Sequence, residues 1–163
     1  MAPLRIPPGP GQESVWDYPR PPALDEEHGP IVVFWQERRL VDAPGGLRIL
    51  ETSHPPTIYV DPAHVNMELL EPMSGSSHCE WKGQARYYRL RDGDERVERV
   101  AWTYPEPDEK YRRLAGWLCF DPGKLPCFLG GERVKPQEGG FYGGWVTSRV
   151  VGPFKGGPGT AGW

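Results

Sequence analysis

Apolar residues along this chain fall in short runs and period-two alternations, the pattern of strands and not of long amphipathic helices. Ile31 to Trp35 is the first apolar run and predicts a buried strand. Leu40-Val41 and Leu47 to Glu51 flank Pro44-Gly45-Gly46, which predicts the two arms of a hairpin. Pro55-Pro56 breaks the chain before another strand over Thr57 to Val60, and Met67, Leu69 and Leu70 read as a partly buried strand. From Lys82 onward Gln84, Arg86 and Tyr88 share one face and Ala85 and Tyr87 the other, with Gly83 at the bend. Asp92-Gly93 is the strongest hairpin signal, joining Tyr87 to Leu90 with Val97 to Tyr104. Trp117 to Phe120 returns to strand, and Cys127 to Leu129 with Glu132 to Val134 form a small hairpin about Gly130-Gly131. Helical signals are brief: one turn after Asp61-Pro62, and Asp108 to Leu114, capped by Asp108 and ended near Gly116. The expected fold is mainly β, a single antiparallel domain with one or two short helices.

Composition changes the picture at the two ends. The chain has 163 residues, with 20 Pro and 21 Gly, a level that by itself suggests irregular backbone. The 12% of aromatic residues, seven Trp among them, argue for burial all the same. Prolines crowd residues 1–29 and forbid regular helix there, while Trp16 and Tyr18 supply rings that a free linker does not need. Residues 1–29 are therefore expected as a Pro-rich arm docked on a β core domain of residues 30–135. Residues 136–163 form a Gly-rich extension whose Phe141, Tyr142, Trp145, Phe154 and Trp163 are expected to fill grooves on this chain or on a second subunit.

A formal net charge of −3 leaves no basic footprint for nucleic acid. Three cysteines, an odd number, do not make the framework of a small secreted protein, so reduced thiols in a cytoplasm are expected. No apolar run reaches the length of a membrane span, and no apolar signal core lies between Met1 and Pro30.

Several segments, taken together and in order, resemble the family called domain of unknown function 427. They are Arg48-Ile-Leu-Glu-Thr-Ser-His-Pro-Pro-Thr-Ile-Tyr59, Met67-Glu-Leu-Leu-Glu-Pro72, Cys79-Glu-Trp-Lys-Gly83 with Ala85 and Tyr87-Tyr88, Ala101-Trp-Thr-Tyr-Pro105, and Ala115-Gly-Trp-Leu-Cys-Phe120. The resemblance spans about residues 30–135. Where the family usually has Cys-Pro-Tyr-Lys-Gly, this chain has a carboxylate, Glu80. The two ends look like extensions found in one branch of the family. The resemblance implies a compact, barrel- or tent-like β domain. It also carries a nucleotidyltransferase-like label, kept as a further alternative, although no Gly-Ser followed by paired aspartates is present to hold metal ions.

The candidate site joins Glu51, His54 and Tyr59 to Cys79, Lys82 and Tyr104. A carboxylate near an amine or imidazole in an apolar mouth is the setting for general acid–base work, and a desolvated Lys82 could also form a Schiff base. The competing reading is a structural ion pair between Glu51 and Lys82, with His54 capping the turn at Pro55. Trp81, Tyr87, Trp102 and Trp117 are the expected apolar walls, with Tyr59 and Tyr104 as hydrogen-bond donors. Cys79 could serve as a nucleophile with His54 or His78 as base, but an inert, buried lining thiol fits better, since His78 on a strand points to the opposite face. His78-Cys79 and the distant Cys119 and Cys127 lack zinc-ligand spacing, so no metal and no cofactor are expected. Gly152 to Thr160 has the glycines of a phosphate loop without its Lys-Ser or Lys-Thr or a following helix. The expected function is a small-molecule-binding β domain, an acid–base enzyme without cofactor in its fullest form. The alternative is a non-enzymatic interaction module that forms a homodimer through its terminal extensions.

Overall fold

Frequent Pro and Gly cut this chain into many short extended pieces, and the computed structural model describes them over residues 3–79 and 81–163. The strands of the first half are β1 (Glu13–Ser14), β2 (Ala23–Glu27), β3 (Ile31–Trp35), β4 (Arg38–Ala43), β5 (Gly46–Leu50) and β6 (Thr57–Val60). The long central strands are β7 (Leu70–Cys79), β8 (Gly83–Asp92) and β9 (Glu95–Thr103). The remainder are β10 (Leu118–Phe120), β11 (Cys127–Leu129), β12 (Glu132–Arg133), β13 (Lys135–Pro136), β14 (Trp145–Val146) and β15 (Val150–Val151).

These strands build a seven-stranded antiparallel sheet in the order β2-β5-β6-β10-β9-β8-β7 and a four-stranded antiparallel sheet in the order β12-β11-β3-β4. Two small pairs, parallel β1–β15 and antiparallel β13–β14, attach the ends. Neither large sheet closes on itself among the described residues, so the domain is an open, layered β structure and not a closed barrel. The helical segments described are short 3₁₀ turns, among them Pro62–His64, capped by the Asp61 side chain on Ala63 N at 2.9 Å. Glu109–Leu114 is the second expected helix, but the Asp108 side chain makes no capping hydrogen bond there.

Side-chain alternation sorts the seven-stranded sheet into two faces. Ile58, Val60, Leu118, Phe120, Ala101 and Leu90 pack with Ile31, Val33, Leu40, Val41 and Leu129 of the four-stranded sheet, forming an aliphatic core between the layers. Tyr59, Cys119, Ala85 and Tyr104 point the other way, into a second, aromatic cluster with partly buried Tyr87, Trp81 and Trp102. A register shift between Tyr88 and Leu90 marks a bulge opposite, on β9, where Arg99 adopts φ 54°.

Two expectations are corrected. Leu40-Val41 and Leu47 to Glu51 are not hairpin partners: β4 pairs with β3, whereas β5 pairs with β2 and β6, so Pro44-Gly45 carries the chain from one sheet to the other. The crossing is tight, for a Cβ at Gly45 would sit 2.6 Å from the Glu27 carbonyl. Met67–Leu69 is a 3₁₀ turn and the strand starts at Leu70, because the chain must first leave β4, where Asn66 N donates to the Leu40 carbonyl at 2.8 Å.

The terminal segments are bound into this framework. From the Pro-rich segment, β2 forms the edge of the seven-stranded sheet and Val15 is fully buried. From the Gly-rich segment, Trp145 enters the aliphatic core and donates through Nε1 to the Phe120 carbonyl at 2.9 Å.

Candidate functional site

The aromatic face of the large sheet does not pack shut. A cavity of about 500 Å³ lies over it, bounded by the Glu51–Thr57 turn, the β7–β8 junction, the Trp102–Tyr104 end of β9 and the Gly140–Gly143 loop.

The Glu51–His54 turn is held from both ends of the chain. His54 N donates to the Glu51 carbonyl at 3.0 Å, closing the turn, and Ser53 takes φ 72° within it. Ser53 N donates to the Val15 carbonyl at 3.0 Å, Thr52 N to the Pro19 carbonyl at 3.2 Å, and Lys155 N to the Ser53 carbonyl at 2.9 Å. Inside this frame His54 Nδ1 lies 2.9 Å from the Thr52 carbonyl oxygen. A carbonyl only accepts, so Nδ1 carries the proton and Nε2 is the basic nitrogen. Burial pushes the His54 pKa below its ordinary value, against the opposing pull of Glu51, whose carboxylate is 3.9 Å from Nδ1. The Glu51 carboxylate also faces Arg20 at 3.5 Å. The edge-on ring of Tyr142 packs on the imidazole, with centroids 4.8 Å apart.

Lys82 stands at the entry to β8. Gly83 follows with φ 104°, and the Lys82 carbonyl accepts from Asp108 N at 3.1 Å, which anchors the turn against the Pro105–Asp108 segment. The Lys82 side chain is enclosed, only 9% of the residue being exposed, and its ammonium lies 5.5 Å from the Tyr104 ring centroid. Lys82 and Glu51 form no ion pair with each other, so the structural-brace reading of that pair is not what the side chains do.

Tyr59 and Tyr104 are buried, and burial pushes both phenol pKa values up, keeping them protonated as hydrogen-bond donors. Trp102 Nε1 reaches the Tyr59 hydroxyl at 3.4 Å, and the Tyr87 hydroxyl is hydrogen-bonded to Ser77.

Glu51, His54, Lys82, Tyr104, Tyr59, Trp81, Tyr87, Trp102 and Cys79 thus all border one cavity. Cys79 is a half-buried free thiol there, and His78 borders the cavity too. Trp117 packs against the same aromatic cluster but does not border this cavity; it borders a second depression with Glu26, His28 and His64. Glu80 lies outside the described residues. Among the described residues no group of three or more His, Cys, Asp or Glu is arranged to hold a metal ion, and no helix is long and apolar enough to cross a membrane.

Sequence reasoning missed Arg99, Lys124, Phe141, Tyr142 and Lys155, all of which line the cavity. For the two rings a signal existed, since aromatic residues in a Gly-rich extension must find a groove. For Arg99 none did, because its placement depends on the β9 bulge.

A family model described as a domain of unknown function (DUF427) matches residues 23–129. The chain belongs to this family. The DUF427 match runs from the start of β2 to the end of β11 and so takes in the whole seven-stranded sheet, the four-stranded sheet except its edge strand β12, and every residue of the candidate site named from the sequence. Phe141, Tyr142 and Lys155 fall beyond the DUF427 match, so this chain completes its cavity with residues outside the matched region. No curated protein matches the chain.

Proposed function

We propose that this cavity binds a small polar or aromatic molecule and that the chain acts on it by acid–base chemistry without a cofactor. The observation that carries the reading is the convergence of His54, Glu51, Lys82 and Tyr104 on one ligand-sized, ring-lined cavity. In this reading His54 Nε2 takes a proton from the bound molecule, its Nδ1 held by the Thr52 carbonyl and the resulting imidazolium favoured by Glu51. The Lys82 ammonium stabilises the negative charge left on the ligand, and the Tyr59 and Tyr104 hydroxyls orient it. Trp81, Tyr87 and Trp102 form the apolar walls.

A thermal-shift screen of small aromatic and polar compounds, followed by calorimetric titration of the hits, tests the reading. Binding should be abolished in Lys82→Ala and weakened in Tyr104→Phe, and turnover of a bound carbon or oxygen acid should be lost in His54→Gln. Hits that bind Lys82→Ala and Tyr104→Phe as well as the unaltered chain would remove these residues from the site.

A further inference from the structure

We infer that the ligand of this cavity is an anion carried on a planar ring, an aromatic carboxylate or phosphate ester. This deepens the reading of the cavity as a small-molecule site and rests on it. The first observation is charge. Although the whole chain is net negative, at −3, the described residues around the cavity include four cations, Lys82, Arg99, Lys124 and Lys155, against the carboxylates of Glu51 and Asp121. Glu51 is matched by Arg20, and an Asp121 oxygen accepts from Gly123 N at 2.8 Å.

The second observation is how these cations are held. Elsewhere arginines sit on carboxylates: Arg48 between Glu13 and Asp25, Arg89 between Glu71 and Glu98. Around the cavity, Lys82, Arg99 and Lys155 make no ion pair among the described residues and instead lie over aromatic faces. Lys82 is 5.5 Å from the Tyr104 centroid, Arg99 4.1 Å from that of Tyr87, and Lys155 5.4 Å from that of Tyr142. A ring face fixes a cation in place without using up its N–H donors. An enclosed ammonium that meets no counter-charge among the described residues is costly, and an incoming anion lowers that cost. The third observation is the wall, which is rich in rings, Trp81 and Trp102 among them, the kind of lining against which a planar ligand ring packs.

Four probes of similar or smaller size separate the elements of the proposal: 2-naphthoate, 2-naphthyl phosphate, neutral 2-naphthamide and inorganic phosphate, each titrated calorimetrically into the full chain. The expected result is that the better of the two aromatic anions binds at least about tenfold tighter than naphthamide, with an advantage that shrinks as salt is raised. The same advantage should fall in Lys82→Met and, independently, in Arg99→Gln, whose exposed side chain can be changed without disturbing the core. Carboxylate against phosphate ester tells which anion the cavity takes. Equal affinity for naphthamide and the anions overturns the anionic assignment while leaving the small-molecule reading standing. Inorganic phosphate binding as tightly as naphthyl phosphate overturns the planar part. Binding of none of the four overturns this proposal, while hits from the broader screen that respond to Lys82→Ala would still uphold the site.

Discussion

The two faces of the seven-stranded sheet are built from the same strands, residue by residue in alternation, yet they are opposite in kind. On one face Ile58, Val60, Leu118 and Leu90 meet a second sheet through side chains that carry no polar atom. On the other, Tyr59, Tyr87, Trp102 and Tyr104 carry hydroxyls, an indole N–H and wide rings that do not interlock, and a cavity remains. Branched aliphatic side chains fill space to crystal-like density, whereas rings with polar edges need partners and leave room for them. One face therefore holds the fold and the other lines a cavity.

The sharpest way to break this division is to attack the dry face. Trp145→Ala removes a side chain that is 2% exposed, along with its bond to the Phe120 carbonyl, and should cost about 3–5 kcal/mol in denaturant unfolding. A loss much below this would mean that the aliphatic face is not the source of stability. Gly143→Ala acts where the two regions meet: Gly143 has φ 70° and a Cβ there would run into the Trp102 ring. It should cost about 1–3 kcal/mol and should quench or shift tryptophan fluorescence as the loop is displaced from the cavity. On the wet face, Lys82→Met should change stability by less than about 1.5 kcal/mol, since it keeps the volume and discards an enclosed charge. A larger loss would make Lys82 a structural residue.

The division also has a signature in pH. Burial holds the His54 pKa below its ordinary 6.5, so just under that value the unfolded chain binds more protons than the folded one. The His54 contribution is therefore present in full above about pH 6.5 and is lost as pH falls through the lower, folded value. His54→Gln should flatten the slope of unfolding free energy against pH in that window and leave it unchanged near pH 8. The smallest effect is expected from Phe141→Ala: the ring is 84% exposed at the cavity mouth, and unfolding free energy should move by no more than about 0.5 kcal/mol.

How much of this was legible in the sequence follows from the range over which each feature is determined. Alternation along β8 is local, and Ala85 and Tyr87 do face the aromatic cluster while Tyr88 and Leu90 face the aliphatic core. The Asp92-Gly93 turn is local as well, and Asp92 pairs with Glu95 across it. Pairing partners are not local: Pro44-Gly45-Gly46 has the look of a hairpin, but whether its flanks pair or part is decided by β2, β3 and β6. The site shows the same limit. Glu51, His54 and Lys82 were legible as reactive groups, but β6, β10 and β9 lie between β5, which Glu51 follows, and β8, which Lys82 precedes, so their bordering one cavity is a property of the folded sheet and of no local pattern. Arg99 and Lys155 come from a bulge and a distant segment, and no short window of sequence joins them to Tyr87 or Tyr142. Trp117 shows the converse, a large ring close in sequence to the site's strands that the backbone turns towards another depression.

The parallel pairing of Glu13–Ser14 with Val150–Val151 has a consequence for the order of events during synthesis. On the ribosome the strands of both large sheets and every site residue up to Tyr104 are made before Val150–Val151, the partner of β1. The His54 turn then lacks its bond from Lys155 N, and the wall lacks Tyr142. A nascent chain can thus carry the strands of both large sheets while its cavity is still open on one side and the place of Trp145 in the core is unfilled. The cavity gains its last wall only once the segment carrying Tyr142 and Lys155 has followed and β15 has met β1.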